Sequence, residues 1–291
     1  MTRTEKVGMR QGSGTDISPA PTSRLSRKRK RMHLLLPLAL IGAVGAFLVG
    51  RSDGPPASWA LETVWEGRFQ DRQPQGFVDA PWNFEGNGPP IVEAAPGKSG
   101  EDAARFTLVR GARRQEIVAG VSSSEALAFA EGDDRYFAFS TRFAPNFPTV
   151  RTWQVIAQWK STGDGSPPVG MFAGSHGAPR IQLGAAGWPG GGSDQVLDLG
   201  PLERGKWIDW VVHIKFSARP QRSLVEVWRD GSLVARSDGW RPSFRGERAG
   251  SRGGTLRAGR TSYLKVGLYR DPGIAQTARW WTREWTVSRP R

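Results

Sequence analysis

The chain has 291 residues, no cysteine, 13 tryptophans and a formal net charge of +14. The lack of cysteine excludes disulfide bonds, thiol catalysis and cysteine-ligated metal sites. With 37 glycines and 21 prolines, the composition favours many turns over long helices, and the length suits a single all-β domain.

The positive charge is concentrated at the N-terminus. Residues 1–51 hold ten Lys or Arg against two acids, a balance of +8, whereas the rest holds 31 against 25, a balance of +6. The high isoelectric point therefore comes mainly from residues 1–51, the leader, and it does not predict that the rest of the chain binds nucleic acid. The mild positive balance of the remainder fits an acidic substrate, and it also fits ordinary solvated surface arginines.

The leader divides into two parts. Residues 1–32 are polar, lack periodicity and contain the basic run 27–31, so we predict a disordered, basic, cytoplasmic tail. Residues 33–50 form an apolar stretch that is just long enough for a membrane span, which takes roughly 20 residues. Because the basic run precedes it, we expect an uncleaved signal anchor in the cell membrane with an exported C-terminal domain. The alternative is a cleaved signal peptide and a secreted or periplasmic protein.

After a predicted linker at residues 51–60, the pattern changes to short alternating runs separated by turn residues. The Asp230-Gly231 pair within residues 225–236 predicts a hairpin, and no 12-residue stretch shows a helical period. We therefore predict that residues 61–291 form one all-β, two-sheet jelly-roll sandwich. Its strands are expected near residues 62–69, 104–109, 113–118, 135–143, 151–160, 180–184, 206–217, 223–229, 262–270 and 281–288, with loops at 161–179, 185–194 and 241–260 around a cleft.

Several familiar active-site patterns do not occur in the sequence. There is no phosphate-binding G-x-x-x-x-G-K-[ST] loop, no G-x-S-x-G nucleophile turn and no H-E-x-x-H zinc motif. The chain has three histidines, and His33 lies in the apolar stretch. Only His176 and His213 remain in the predicted exported domain, which excludes a three-histidine metal site there. His213 is expected on a solvent face. A sandwich glycosidase needs two carboxylates, commonly in an E-x-D-x-x-E strand. The nearest match, EGDDRY at 131–136, has Tyr136 in place of the second glutamate, which disfavours glycoside hydrolysis.

Two of the predicted strands each present a polar face. The segment 151–160 carries Gln154, Gln158 and Lys160 on that face. The segment 262–270 carries Tyr263, Lys265 and Tyr269. Strand side chains alternate between faces, so the opposite, apolar faces are expected in the core, Trp153 and Trp159 included. Side by side, the two strands would form a cationic groove with phenols in it, which suits an anionic sugar chain.

A third segment completes a set of residue types suited to one reaction. RRQEI at 113–117 puts Arg114 and Glu116 on one strand face. β-Elimination of a uronic acid polymer removes the proton at C5, beside the carboxylate, and expels the 4-linked sugar. Arg114 and Gln158 are suited to neutralise the carboxylate. Tyr269 is suited to transfer protons, since neighbouring cations favour a phenolate.

These segments carry a family resemblance. Jelly-roll polysaccharide lyases of the alginate-lyase type have R-x-E-x-R, Q-[IV]-H and Y-x-K-x-G-x-Y-x-Q strands. This chain has Arg114-Gln115-Glu116, Gln158-Trp159-Lys160 and Tyr263-Leu264-Lys265-Val266-Gly267-Leu268-Tyr269-Arg270, in the same order. Over residues 60–288 the surroundings resemble the heparin-lyase-I-like and glucuronan-lyase branch.

The resemblance implies a concanavalin-like jelly roll with lyase activity on alginate, glucuronan or a heparin-like polymer. The implied catalytic residues are Tyr269, Gln158, Arg114 and Lys160. Further substrate-binding candidates are Lys265, Glu116, Gln154, Tyr263 and Trp188, the last of which lies in a glycine-rich loop. No cofactor or catalytic metal is predicted. Some family members carry a structural calcium ion, although no compact acidic loop here demands one.

Three positions depart from the family pattern. Val118 replaces the second arginine, Lys160 replaces the histidine, and Asp271 replaces the closing glutamine. A lysine neutralises charge but is a poor base unless burial or nearby cations lower its pKa. Two alternatives therefore stay open beside the enzyme: a non-catalytic module of the same fold that binds acidic glycans, and an envelope or matrix protein with a vestigial cleft.

Overall fold

A computed structural model describes residues 54–85, 88–185, 196–241 and 254–291. The predicted tail (1–32) and signal anchor (33–50) lie outside the described residues, as do the first three residues of the predicted linker. None of the helices in the described part of the chain has the length and apolar character needed to span a bilayer.

The described residues form strands connected by loops and three short 3-10 helices, Ser58–Ala60, Pro81–Asn83 and Pro220–Arg222. The strands are β1 (Leu61–Gln70), β2 (Gln73–Gln75), β3 (Phe77–Val78), β4 (Ile91–Ala94), β5 (Asp102–Leu108), β6 (Arg114–Ala119), β7 (Ala128–Phe129), β8 (Asp134–Phe143), β9 (Gln154–Ser161), β10 (Val169–Ala173), β11 (Arg180–Gly184), β12 (Val196–Pro201), β13 (Trp207–Lys215), β14 (Leu224–Arg229), β15 (Ser232–Asp238), β16 (Ser262–Arg270) and β17 (Ala278–Pro290).

The strands make two antiparallel sheets. One sheet has nine strands in the order β15-β14-β13-β8-β17-β1-β2, with β5 paired to β17 and β4 paired to β5. The other has eight in the order β12-β11-β10-β9-β16-β6-β3, with β7 paired to β16. The predicted all-β, two-sheet sandwich is therefore confirmed.

Apolar side chains from both sheets meet in one core. Phe137 and Trp210 from the nine-stranded sheet pack in the same cluster as Trp159 and Val266 from the eight-stranded sheet. The Phe137 and Trp159 rings meet edge to face at 5.2 Å. Trp159 and Val266 thus pack β9 and β16 against the opposite sheet.

The predicted hairpin is confirmed, since β14 and β15 pair antiparallel across Asp230 and Gly231. Both turn residues have positive φ, 49° and 81°, as this tight turn requires. The predicted loop 161–179 is wrong in part, because β10 runs through it. Every residue of β10 is buried, so its sequence, VGMFA, shows no alternation that would reveal a strand.

The expectation that His213 faces solvent is also wrong. Its ring lies on the strand face away from the core, but it is only 3% exposed. Its Nδ1 lies 2.7 Å from Glu226 Oε2, and its Nε2 lies 2.5 Å from Asp134 Oδ1. Tyr136 stacks on the ring at 4.0 Å and covers it.

Candidate active site

The three segments singled out in the sequence become neighbouring strands. β16 lies between β9 and β6 in the eight-stranded sheet. Lys265 is opposite Gln158 on one side, and Tyr269 is opposite Arg114 on the other. The predicted polar faces of β6 and β16 therefore form one surface, which continues onto β9 at Gln158.

Glu116 is the hub of this surface. Its side chain is 1% exposed, and the Gln158 amide donates a hydrogen bond to its Oε1. Its Oε2 lies 2.7 Å from Lys265 Nζ and 3.4 Å from Arg114 Nε. A buried carboxylate is tolerated only with such partners, so these contacts fix Arg114, Gln158 and Lys265 relative to one another.

Tyr269 joins the cluster through Arg114. The Arg114 guanidinium carbon lies 4.2 Å from the centre of the tyrosine ring. On the neighbouring turn, Arg113 Nη2 donates a hydrogen bond of 3.0 Å to the tyrosine oxygen. Trp153 meets the ring edge at a centroid distance of 4.7 Å. The half-buried phenol is therefore held on three sides.

Gly267 makes this close approach feasible. It has a φ of 150° and lies opposite Glu116 on β6. A Cβ at this position would collide with the backbone carbonyl oxygen of Gln115. Residue 267 of the tyrosine motif therefore has to be glycine for a steric reason. Without a side chain there, β16 can lie against β6 where Arg114 meets Tyr269.

The first half of β9 departs from the predicted alternation. Its pairing with both β10 and β16 shifts register between Ala157 and Val155. As a result Gln154 is 0% exposed, and its Nε2 donates to the carbonyl oxygen of Pro148 at 2.8 Å. The expectation that Gln154 extends the groove is therefore wrong. Trp153, expected in the core, contacts Tyr269 instead.

A short segment before β4 borders the cluster and was missed by sequence reasoning. Asn83, 2% exposed, accepts a hydrogen bond of 2.9 Å from Lys265 Nζ. Glu85 Oε1 lies 3.3 Å from Arg114 Nη1. Trp82, the residue before Asn83 in the chain, is 68% exposed. The segment is remote from the motifs in sequence, so no local spacing could have predicted its place.

Comparison with known proteins identifies the family. A family model described as "Polysaccharide lyase" matches residues 82–286. The chain belongs to the polysaccharide lyase family.

One solved structure supports the fold of this lyase domain, and a second is also similar to it. The crystal structure of the endo-β-1,4-glucuronan lyase from the fungus Trichoderma reesei is 13% identical, with a TM-score of 0.52, and the match covers 78% of this chain and 96% of that one. An alginate lyase of polysaccharide lyase family 7 is also 13% identical, with a TM-score of 0.47 over 78% of this chain and 95% of that one. A search of curated proteins found no match.

The lyase domain has Lys160 at the position of the family histidine. Its Nζ donates hydrogen bonds of 2.7 Å to the carbonyl oxygens of Ser161 and Gly163. Burial, together with the charges of Arg257 and Lys265, lowers the pKa of Lys160 to about 8. The side chain is therefore a cation at neutral pH and loses its charge in mildly alkaline solution.

Tyr263 lies opposite Lys160, near the other end of β16 from Tyr269. Burial and the charge of Glu116 raise its pKa, against the opposing effect of Arg114. Tyr263 is therefore held as a neutral phenol. Trp188, the predicted sugar-stacking residue, lies outside the described residues.

The other two departures from the family pattern have local partners. Val118 is buried opposite Lys265, so its side chain contributes to packing. Asp271 accepts a hydrogen bond of 2.8 Å from the Thr152 hydroxyl, and its backbone N–H donates to the Trp153 carbonyl at 3.2 Å. Asp271 thereby ties the end of β16 to the residues that bring Trp153 against Tyr269.

Proposed function

We propose that this domain cleaves a uronate-containing polysaccharide by β-elimination at the Arg114–Gln158–Tyr269 surface. The observation that carries the proposal is that Gln158 and Arg114 both contact Glu116, and Tyr269 contacts Arg114, on one face of three neighbouring strands in a polysaccharide lyase. Each supplies a group that the reaction needs.

Arg114 and Gln158 would hold the substrate carboxylate. An amide group has two N–H donors, and Gln158 gives only one of them to Glu116. The other is available to a carboxylate oxygen next to Arg114. Hydrogen bonds from a cation and an amide stabilise the negative charge that builds on the carboxylate when C5 loses its proton.

Tyr269 would perform both proton transfers. Its phenolate takes the C5 proton, the electron pair of that bond forms the C4–C5 double bond, and the C4–O4 bond breaks. The leaving oxygen then receives the proton from the Tyr269 hydroxyl, so the tyrosine returns to its starting state. A single residue suffices when both protons move on one face of the sugar.

Lys160 would act as a cation at neutral pH, because its pKa of about 8 leaves it protonated there. Its N–H groups donate to the backbone carbonyls of Ser161 and Gly163, which hold the ammonium group in place. An ammonium at this end of the groove would hold the carboxylate of another uronate unit. Lys265 would act indirectly, because its ammonium group is already engaged by Glu116 and Asn83.

Trp82 would provide an apolar surface for a sugar ring. Its indole is exposed on the segment that Asn83 anchors to Lys265 and Glu85 anchors to Arg114. Exposed indole faces beside a binding groove are suited to stack on the apolar face of a sugar. The proposal gives Trp82 the role predicted for Trp188 from the sequence.

The substrate class can be tested with a panel of polymers. Glucuronan comes first, because a glucuronan lyase shares the fold, and alginate and heparin-type polymers follow from the sequence motifs. New ultraviolet absorbance from an unsaturated uronate, with at least one of the three, is the expected result. Binding without new absorbance would instead favour a glycan-binding module.

The proposed chemistry uses only side chains of this domain. Carboxylate neutralisation falls to Arg114 and Gln158, and proton transfer falls to Tyr269. We expect turnover to persist after treatment with a calcium chelator. Loss of activity that added calcium restores would show that a structural ion is needed.

The proposed location is the cell membrane, with the lyase domain exported. Support comes from the basic run 27–31 directly ahead of the apolar stretch 33–50. Protease treatment of intact and permeabilised cells would test the orientation, and the mass of the mature protein would show whether the leader is retained.

A further inference from the structure

We propose that Arg113 is a second catalytic arginine, which stabilises negative charge on the Tyr269 oxygen during both proton transfers. The proposal rests on the role of Tyr269 given above. It adds a residue outside the motifs that identify the family.

The contact is direct. Arg113 Nη2 donates to the phenolic oxygen at 3.0 Å, and the Arg113 guanidinium carbon lies 5.4 Å from the centre of the ring. Arg114 approaches the ring itself, at 4.2 Å. The two arginines therefore contact different groups. Arg114 contacts the tyrosine ring and Glu116, while Arg113 contacts the phenolic oxygen.

Two consecutive arginines reach one tyrosine because the strand begins between them. Consecutive residues of a strand point to opposite faces. Arg114 is the first residue of β6, and Arg113 belongs to the preceding turn, so alternation does not apply to it. Sequence parity alone would have directed Arg113 away from the groove.

The backbone at Arg113 is fixed on both sides. Its N–H donates to the Glu85 carbonyl at 3.2 Å, and its own carbonyl accepts from the Arg270 N–H at 3.0 Å. Arg270 is fully buried, and its guanidinium donates to the carbonyls of Val109 and Ala112 in the same turn. Burial of Arg270 thus holds the turn that presents Arg113.

The hydrogen bond has a directional consequence. A guanidinium is a donor only and keeps its protons in proteins. Arg113 therefore occupies a lone pair of the Tyr269 oxygen, and the tyrosine proton must point elsewhere. That leaves the phenol free to exchange its proton with the sugar, while a charge-assisted hydrogen bond stabilises the phenolate form.

The first test compares turnover in Arg113→Ala, Arg113→Lys and Arg110→Ala. Arg110 is an exposed arginine three residues away and serves as the matched control. We expect Arg113→Ala to lower kcat by about 10- to 100-fold with little change in KM, below the range for a buried oxyanion donor because Arg113 is exposed. Lysine should restore part of the loss, and Arg110→Ala should match the wild type. A kcat for Arg113→Ala equal to that of Arg110→Ala, or an effect on KM alone, would overturn the proposal.

The second test needs no substrate. The chain has only three tyrosines, so tyrosine labelled with ¹³C at Cζ gives three resonances, and Tyr269→Phe identifies the one from Tyr269. We expect Arg113→Ala to move that resonance, because the hydrogen bond to the phenolic oxygen is lost, and Arg110→Ala to leave it unchanged. An unmoved resonance in Arg113→Ala would refute the role of Arg113 even if no polymer is cleaved, which separates this failure from a failure of the proposed function.

Discussion

Tyr269 and Tyr136 lie on different sheets, and each sits beside a cluster of ionisable side chains. Tyr269 is flanked by two arginines, one of which donates a hydrogen bond to its oxygen. Tyr136 stacks on His213, which lies between Asp134 and Glu226. Burial and the charges of these two carboxylates raise the pKa of Tyr136 to about 12.

The two tyrosines differ in the sign of the charges beside them. Burial and two carboxylates oppose a phenolate at Tyr136, so it is kept neutral and covers a buried histidine. Tyr269 has guanidinium groups in their place, one bonded to its oxygen and one over its ring. We propose a structural role for the first tyrosine and the proton-transfer role for the second.

Replacing each tyrosine with phenylalanine should separate the two regions most strongly. Tyr269→Phe removes the group proposed to move both protons, so we expect kcat to fall by about 10³-fold or more while polymer binding persists. Tyr136→Phe should leave kcat near the wild-type value. Equal activity of the two variants, measured as release of unsaturated uronate, would end the assignment of Tyr269.

Replacing Glu116 or Glu226, the buried glutamates beside the two tyrosine clusters, should separate the two regions further. Glu116→Gln leaves Lys265 and Arg114 without their buried counter-charge, and we expect the free energy of unfolding to fall by about 3 kcal/mol, with a loss of kcat. Glu226→Gln, beside His213, should also reduce stability but should leave kcat unchanged. Denaturant unfolding and turnover, measured on both variants, would check the pair. A Glu116→Gln enzyme with wild-type kcat would mean that the hub does not position the catalytic groups.

Lys160 should make substrate binding sensitive to mildly alkaline pH. Burial is the main cause that lowers its pKa to about 8, so its positive charge is present below that pH and disappears above it. We expect KM for a polyuronate to rise as the pH passes through about 8, and we expect Lys160→Met to have a raised KM without this rise. The same pH dependence in the variant would assign it to another group.

Trp82 should have the smallest effect. Trp82→Ala removes an exposed apolar surface that is proposed to stack on a sugar ring, so KM should rise several-fold with kcat nearly unchanged. Trp59, 76% exposed in the 3-10 helix that precedes β1, is the matched control. Equal KM values for the two alanine variants would place the sugar chain away from Trp82.

Much of the site could be predicted because it follows strand alternation. Arg114 and Glu116 share a face two residues apart, as do Lys265 and Tyr269 four residues apart, and the observed register preserves both relations. The family motifs add the order of the strands along the chain. Period and motif together were enough to identify the surface.

The rest depends on features that alternation does not encode. The register shift in β9 exchanges the expected places of Gln154 and Trp153. Arg113 reaches Tyr269 from a turn, and Asn83 reaches Lys265 from a segment 182 residues away in sequence. These contacts arise from tertiary packing, so neither period nor local spacing signals them.

The most direct test of the central claim is a crystal structure of the Tyr269→Phe variant with a bound uronate trisaccharide. We predict that one sugar carboxylate lies within hydrogen-bond distance of both Arg114 and Gln158, with its C5 facing the ring of residue 269. A trisaccharide bound elsewhere, or bound with C5 turned away from that ring, would contradict the account.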